Sequence, residues 1–151
     1  MYSNYGLFLD GAWQNKRANV AEVLSPATER SLGEVSLASA ADTNDVIESA
    51  ERGFLEWKRK SGFERADALH RVAGELLRRK DEGARAITSE TGKPLIQSER
   101  EWMLAVDQFR WHAEEARRIY GRVIESRVPG GRFEALHEPV GIAAAFTAWN
   151  F

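Results

Sequence analysis

The feature that most constrains the fold is an apolar run close to the end of the 151-residue chain. Residues Val140 to Phe146 read VGIAAAF, without polar alternation, and Pro139 and Gly141 punctuate the beginning of the run. A short continuous apolar run is typical of a strand that is buried on both faces, as strands in parallel sheets are. The run therefore predicts the first strand of a parallel sheet in an α/β protein.

The character of the sequence changes immediately after this run, where Thr147 to Phe151 read TAWNF. Ligands in open parallel sheets bind at the carboxyl ends of the strands. Asn150 follows such an end, and its side-chain amide can donate a hydrogen bond to an oxygen that becomes negative during a reaction. Asparagine is also a common turn residue, and the spacing alone favours this plainer interpretation.

Two hairpins are predicted before the first helix. Leu7 to Trp13 read LFLDGAW, and an Asp-Gly pair between apolar pieces is a strong signal for a two-residue hairpin turn. Ser25 to Thr28 read SPAT, in which Pro26 suits the first central position of a turn. Short strands are predicted on both sides of that turn, around Val23 and Val35.

Three helices are predicted between residues 42 and 92. The first begins near Asp42, a good N-cap residue, and the second begins at Ser61, which has capping-box spacing with Glu64. The third covers Asp81 to Glu90 and ends at Gly92, a common C-terminal cap. Apolar residues at helical spacing predict the faces that turn toward the core: Val46, Ala50, Phe54 and Trp57 in the first helix, and Leu69, Val72, Ala73, Leu76 and Leu77 in the second.

The longest helix is predicted within Leu95 to Gly121, about 40 Å if unbroken, with Pro94 in its first turn. His112, Glu114 and Glu115 are not predicted to form a metal site, because the consecutive residues Glu114 and Glu115 face different sides of a helix. An apolar stripe predicts packing along a domain: Trp102, Val106, Phe109, Ala113, Ala116 and Tyr120.

A third hairpin is predicted after this helix. Val123 to Val128 and Arg132 to His137 are strand-like, and they flank the turn residues Pro129, Gly130 and Gly131. An ordinary edge hairpin is the plainest interpretation of these residues alone.

Composition excludes several classes of function. The chain contains no cysteine, which excludes disulfides, thiolate metal sites and a cysteine nucleophile within these 151 residues. Its net charge of −2 provides no basic field for nucleic acid. The sequence contains no apolar run of 18 residues and no visible secretory signal. We therefore expect a protein of the cytoplasm that binds neither nucleic acid nor a membrane.

Taken in chain order, these motifs resemble the N-terminal part of the NAD(P)-dependent aldehyde dehydrogenase superfamily. The resemblance rests on EPVG at Glu138 to Gly141, TAWNF at Thr147 to Phe151, and ETGKP at Glu90 to Pro94. The run WHAEEARRIYG, from Trp111 to Gly121, is similar to the corresponding helix of the succinate-semialdehyde dehydrogenase branch. Each match is weak alone, but their ordered occurrence along nearly the whole chain is specific.

The resemblance implies a set of functional roles. Asn150 would be the catalytic donor to the oxyanion, and the backbone of Phe146, Thr147, Ala148 and Trp149 would line an NAD or NADP cofactor. Residues 1–151 would form an N-terminal segment with an incomplete cofactor-binding domain, and residues 122–138 an oligomerisation arm. The complete enzyme would then be a homodimer or homotetramer that oxidises a small aldehyde to a carboxylic acid, with succinate semialdehyde as one candidate.

The resemblance also implies two differences from a whole family member. Ala148 stands where the family usually has proline, so the turn loses the rigidity that proline gives it. The family's cysteine nucleophile and glutamate base would lie beyond Phe151, so the 151-residue chain alone is expected to be inactive. The alternative functions are a non-catalytic truncated chain or interaction module built on the same fold and, more weakly, an unrelated helical binding protein.

Overall fold

The structure, a computed structural model, describes residues 6–14 and 19–147. In chain order the elements are β1 Leu7–Leu9, β2 Ala12–Gln14, β3 Asn19–Leu24, β4 Ser31–Leu37, α1 Ala40–Trp57, α2 Gly62–Arg78, α3 Lys80–Thr91, α4 Leu95–Ala116, β5 Arg122–Glu125 and β6 Arg132–Ala135. Within the described residues the strands pair as three separate antiparallel hairpins, β1–β2, β3–β4 and β5–β6. The mixture of helices and short hairpins confirms the predicted fold class.

The first hairpin turns at Asp10 and Gly11, as predicted. Both residues have positive φ, 49° and 80°, which is the backbone of a turn that matches the twist of the strands. Asp10 also attaches the hairpin to α1, because its carboxylate accepts hydrogen bonds from Ser49 Oγ at 2.9 Å and from the Arg52 guanidinium at 2.7 Å. The turn residue therefore sets both the hairpin and its position on the helix.

The predicted turn at Ser25 to Thr28 is confirmed between β3 and β4. The Ser25 carbonyl accepts from the Glu29 amide at 2.8 Å, and the Ser25 amide donates to the Arg30 carbonyl at 2.9 Å. Ser25 itself is buried, which shows that this turn packs against the rest of the chain.

The start of α1 differs from the prediction by three residues. Ser39 is the N-cap, and Asp42 lies at the third helical position. The Asp42 amide donates to Ser39 Oγ at 3.2 Å, while the Asp42 carboxylate accepts from the Ser39 amide at 2.8 Å. The assignment of Asp42 as N-cap is wrong because Asp42 is the acidic partner in a capping box, a role that aspartate fills as well as capping itself.

The apolar face of α1 is largely exposed. Val46, Ala50 and Trp57 are exposed, and only Phe54 of the predicted set is half-buried. The main packing partner of α1 among the described residues is the three-residue strand β1. The prediction that this face lies in the core is wrong here, because among the described residues the large helices pack on one another and not on α1.

Helix α2 begins as predicted with a capping box. Ser61 Oγ accepts from the Glu64 amide at 3.2 Å, and the Glu64 carboxylate accepts from the Ser61 amide at 2.7 Å. Of its predicted core face only Ala73 is fully buried, while Val72 and Leu77 remain exposed.

The connection from α3 to α4 is short and closely defined. Gly92 ends α3 in the left-handed conformation with φ of 72°, which confirms its predicted role as the C-terminal cap. Pro94 is the N-cap of α4 rather than a residue of its first turn. The Thr88 and Ser98 hydroxyls lie 2.9 Å apart and join the two helices beside the connection.

The core lies between α2, α3 and α4 and is built mainly from small residues. Its fully buried members include Val106 and Ser98, and its buried alanines are Ala66, Ala73, Ala84 and Ala113. Small side chains let the helix backbones approach closely. Trp102 also links α4 to α2, because its Nε1 donates a hydrogen bond to the Leu76 carbonyl at 2.7 Å. The predicted inner stripe of α4 is thus confirmed at its centre.

Helix α4 ends earlier than the last residue that its sequence pattern allows. It contains 22 residues, about 33 Å at the usual rise per residue, and it stops at Ala116 instead of Gly121. Tyr120, the last residue of the predicted stripe, therefore lies beyond the helix and is exposed. In the described residues, no helix is both long and apolar enough to cross a membrane.

The third hairpin, β5–β6, confirms the predicted strand pair, but β5 ends at Glu125 and β6 at Ala135 instead of at Val128 and His137. Val123 pairs with Glu134 and Ile124 with Phe133. Every residue of both strands is exposed, so the hairpin stands away from the helices with its apolar side chains uncovered.

The predicted strand at Val140 to Phe146 is not formed. The described residues from 136 to 147 are neither helix nor strand, Val140 is fully exposed, and Phe146 is 97% exposed. A strand needs a neighbouring strand to pair its backbone amides and carbonyls, and the described part of the chain places none beside this segment. The apolar pattern is that of a buried strand, but the sheet that such a strand requires is not provided by these residues.

Candidate functional site

The predicted catalytic and cofactor-binding residues are only partly described. Asn150, Ala148 and Trp149 lie outside the described residues, so their predicted roles stay predictions. Phe146 and Thr147 are described, and both are exposed in an extended segment. Neither residue lines any of three clefts on the described part of the chain, one beside α1 and two along α4.

One cleft of about 270 Å³, the α1–α2 cleft, lies where the segment after β6 returns to the helices. The C-terminal end of α1 and Ile119 line it from one side, and residues 137–141 from the other. Its apolar members are Phe54, Trp57, Ile119 and Pro139, and its charged or titratable members are Lys58, Arg65, His137 and Glu138.

The cations of the α1–α2 cleft already have partners. The Lys58 ammonium lies 5.3 Å from the centre of the Phe54 ring, which is within range of a cation–π contact. Arg65 donates to the Lys60 carbonyl at 2.7 Å. Glu138 adds a negative charge to the same cleft, so the cleft contains charges of both signs.

A second site, the α4 groove, follows the outer face of α4. It consists of two adjoining clefts of about 440 Å³ and 250 Å³ that share Arg100 and Leu104. The first also contains Ile96 and Met103, and the second also contains Gln97. Residues 100 and 104 are one turn apart and lie opposite Val106, which faces the core. The groove is thus a solvent-facing surface that combines aliphatic side chains with charge.

The acidic side chains around the α4 groove are all paired with cations other than Arg100. The pairs are Glu99 with Lys80 at 3.2 Å, Glu101 with Lys93, and Asp107 with Arg110 at 3.5 Å. Arg100 makes no hydrogen bond or ion pair to any residue that the structure describes. The sequence analysis missed Arg100 because it followed only the inner stripe of α4, whereas exposed Ile96, Leu104 and Trp111 mark a second apolar face.

Two of the residues considered for metal binding have other partners: Glu114 contacts His70, and Glu115 pairs with Arg118 at 2.6 Å. His70 Nε2 and Glu114 Oε1 lie 2.9 Å apart, and both side chains are well exposed. Among residues 6–14 and 19–147 there is no group of three His, Cys, Asp or Glu side chains that could hold a metal ion.

A sequence model described as the aldehyde dehydrogenase family matches residues 13–151. This match covers more than half of the chain, and the chain belongs to the aldehyde dehydrogenase family. The resemblance inferred from the sequence is thereby confirmed.

Two curated relatives are similar to this chain over nearly its whole length. The chain is 38% identical to 4-(hydroxymethyl)benzenesulfonate dehydrogenase TsaD1 of Comamonas testosteroni over 96% of its own length and 31% of the relative's. It is 36% identical to glutarate-semialdehyde dehydrogenase of Pseudomonas aeruginosa over 95% of its own length and 30% of the relative's. The chain thus spans less than a third of the length of these curated relatives.

Solved structures agree with this assignment. Succinate-semialdehyde dehydrogenase from Burkholderia pseudomallei superposes with a TM-score of 0.78 and 33% identity over 83% of this chain and 26% of that one. A double mutant of betaine aldehyde dehydrogenase from Staphylococcus aureus, in complex with NAD⁺, has a TM-score of 0.89 and 26% identity, covering 95% and 29%. The relatives therefore include succinate-semialdehyde dehydrogenases, as predicted, and the fold is that of the family's N-terminal part.

Proposed function

We propose that this chain is the N-terminal part of an NAD(P)-dependent aldehyde dehydrogenase that oxidises an aldehyde to a carboxylic acid. The observation that carries the proposal is the family match through residues 13–151, which includes the TAWNF turn. The complete enzyme would consist of this chain continued by the downstream two-thirds of the family fold. In the experiments below, that part comes either from the gene that encodes the chain or, by fusion, from the glutarate-semialdehyde dehydrogenase of Pseudomonas aeruginosa.

The proposed contribution of this chain to the chemistry is Asn150. In the family, a cysteine thiolate adds to the aldehyde carbon, and water activated by a glutamate hydrolyses the thioester. A bound nicotinamide cofactor would supply the hydride acceptor. The carbonyl oxygen becomes negative after the thiolate adds, and a preorganised amide stabilises that charge more than it stabilises the neutral aldehyde. The cysteine would belong to the downstream part, since these 151 residues contain none, and the resemblance implies the same place for the glutamate.

The proposed cofactor contacts are the backbone groups of Phe146, Thr147, Ala148 and Trp149. Phe146 is exposed, so its segment is available for contact with a ligand and with the downstream fold. Both NAD and NADP are candidates, because the resemblance implies that the residues that contact the ribose lie downstream of this chain.

The proposed substrate is an aldehyde that carries a second, anionic group. The two curated relatives are named for 4-(hydroxymethyl)benzenesulfonate, an alcohol, and for glutarate semialdehyde, and a structural neighbour is named for succinate semialdehyde. Each of these molecules has a sulfonate or carboxylate at the end opposite the reacting carbon. Succinate semialdehyde remains a candidate within this class.

We also propose that residues 122–138 form an arm that joins subunits into a homodimer or homotetramer. All residues of β5 and β6 are exposed, including Val123, Ile124 and Phe133. An exposed pair of short strands with apolar side chains favours pairing with another chain.

The test of the proposed function is steady-state oxidation of succinate semialdehyde, glutarate semialdehyde and 4-formylbenzenesulfonate by the complete enzyme, with NAD and NADP. Cofactor-dependent production of the acid is expected from at least one of them. The 151-residue chain alone should give none under the same conditions. A complete enzyme that folds and binds the cofactor but oxidises no aldehyde would support the non-catalytic interaction module instead.

A further inference from the structure

The α1–α2 cleft is lined by three charged side chains that form no ion pair with any residue the structure describes: Lys58, Arg65 and Glu138. The two cations contact the Phe54 ring and the Lys60 carbonyl, and neither of these groups carries a negative charge. Glu138 lines the same cleft but lies beyond ion-pair distance of both cations. The cleft therefore offers charges of both signs to a ligand that lies between them.

The walls beside these charges are apolar. The Phe54 ring is half-buried, and Trp57 and Ile119 remain exposed on the same side of the cleft. Pro139 belongs to the opposite wall. Exposed aromatic and aliphatic groups gain free energy when an apolar body covers them. The cleft thus combines its charges with a surface for a hydrocarbon side chain or an aromatic ring.

The size of the cleft limits the kind of ligand it can hold. Its volume of about 270 Å³ lies near the lower end of the range of about 300 to 1,000 Å³ that is usual for small-molecule pockets. Such a space suits a compact molecule with one apolar group, and the two signs of charge suit a molecule that carries both an anion and a cation.

We propose that the α1–α2 cleft binds a free amino acid with an apolar side chain. Lys58 and Arg65 hold its carboxylate, and Glu138 accepts hydrogen bonds from its ammonium group. Arg65 has donors left for this contact, because a guanidinium presents five N–H groups and the Lys60 carbonyl uses one of its nitrogens. The apolar side chain lies between the aromatic wall and the proline. This site lies outside the proposed oxidation, because it uses neither the oxyanion donor nor the cofactor.

The α4 groove is a poorer match for such a ligand. It contains a cation, Arg100, whose charge no described neighbour balances, but the acidic side chains around it are each paired with another cation. An ammonium group would find no unpaired carboxylate among the described residues that line the groove. Glu138 provides one in the α1–α2 cleft.

The experiment compares three ligands that share a phenylethyl group: phenylalanine, 3-phenylpropanoate, which lacks the ammonium, and 2-phenylethylamine, which lacks the carboxylate. Ligand-observed NMR titrations of the complete enzyme at neutral pH give their dissociation constants. Phenylalanine should bind with a dissociation constant of about 1 mM or below. Each analogue should bind about tenfold or more weakly, because hydrogen bonds to one charged group are lost. Equally tight binding of either analogue, or no binding of phenylalanine, would overturn the proposal.

Two variants assign the two charges of the ligand. Glu138→Gln should weaken the binding of phenylalanine about tenfold or more without weakening that of 3-phenylpropanoate, which has no ammonium group. Lys58→Gln should weaken both ligands that carry a carboxylate without weakening 2-phenylethylamine. A variant that binds phenylalanine as tightly as the parent, or that loses all three ligands equally, would contradict the assignment of its residue to the site.

Two matched controls remove the same charges elsewhere. Lys60→Gln and Glu125→Gln change exposed residues that line none of the three clefts, so both should bind all three ligands as the parent does. Losses as large as those in Lys58→Gln and Glu138→Gln would show that net charge determines binding, and they would overturn the proposal. These measurements need no turnover. They therefore decide the proposal even if the complete enzyme oxidises no aldehyde, in which case only the proposed function fails.

Discussion

Trp102 of α4 lies directly over Gly83 of α3. A β-carbon built on Gly83 would overlap the six-membered ring of Trp102, and Gly83 is buried. The indole is also fixed at its other edge, where Nε1 donates to the Leu76 carbonyl. The ring therefore cannot move away without breaking the hydrogen bond that ties α4 to α2.

Gly83→Ala is accordingly expected to destabilise the three-helix core. Overpacking of a well-filled site costs about 1 to 3 kcal/mol, which exceeds the gain of up to about 1 kcal/mol that alanine brings to a helix. Gly74→Ala in α2 is the matched control, because no atom lies within 4 Å of its added methyl group. Urea unfolding followed by circular dichroism should give the highest midpoint for Gly74→Ala, an intermediate one for the parent and the lowest for Gly83→Ala. The reverse order would refute this packing.

The capping box of α2 predicts a pH dependence. Hydrogen bonds from the Ser61 amide, then from its side chain, lower the pKa of Glu64 from its ordinary value of 4.5. A lowered folded-state pKa gives stability that is present above the ordinary value and lost as the pH falls below it toward the folded-state pKa. Glu64→Gln should reduce this acid-induced loss in unfolding experiments between pH 7 and pH 3. Glu51→Gln, an exposed change within α1, should retain the parent's profile.

Asn150→Ala in the complete enzyme tests the proposed catalytic role. Loss of one oxyanion donor typically lowers turnover by about 100- to 1000-fold, whereas cofactor affinity should change little because backbone groups hold the cofactor. Steady-state turnover and equilibrium binding of the nicotinamide cofactor are the two measurements. Turnover within a few-fold of the parent excludes the oxyanion role, and parallel losses in both would make Asn150 a structural turn residue.

Negative charge in the β5–β6 arm should weaken assembly. Val123→Glu together with Val128→Glu places carboxylates where an apolar contact between subunits is proposed, and burial of an unpaired charge is costly. Sedimentation of the complete enzyme should show smaller species than the parent or than a control with Gln108→Glu, an exposed position on α4. An unchanged oligomer with both valines replaced contradicts the arm assignment.

The 151-residue chain on its own should associate through its uncovered apolar side chains. Val140 is fully exposed and Phe146 is 97% exposed, and large exposed apolar patches favour self-association. Fluorescence of a hydrophobic dye and light scattering at micromolar concentration should both be high for the parent chain and lower for the double variant Val140→Ser, Phe146→Ser. A monodisperse monomer that binds no dye would contradict this expectation.

Local signals were sufficient to predict much of the fold. The turn at Asp10 and Gly11, the capping box at Ser61 and the end of α3 at Gly92 all follow from backbone preferences and short-range hydrogen bonds. Asp42 was misplaced because the same residue type serves as N-cap and as the third residue of a capping box, and only the position of Ser39 Oγ distinguishes the two.

The remaining differences concern contacts that are distant in sequence. The pattern of Val140 to Phe146 is right for a buried strand, but strand formation depends on neighbours that a local pattern does not specify. Prediction of the candidate site was limited in the same way, because a local pattern does not specify which distant residues are in contact. Asn150 was found from its resemblance to a family motif, whereas Arg100 became apparent only when the structure showed that Glu99 and Glu101 are paired with other cations.

The attachment of β1–β2 to α1 through Asp10 implies that the chain opens in stages. Helix α1 packs mainly on β1, whereas α2, α3 and α4 pack extensively on one another. Amide hydrogen exchange should therefore be slowest in α2 and α4, and α1 should exchange together with the first hairpin as a separate, less protected cooperative unit. Because the Arg52 hydrogen bond lowers the pKa of Asp10, acidification should loosen this N-terminal unit before it opens the three-helix core.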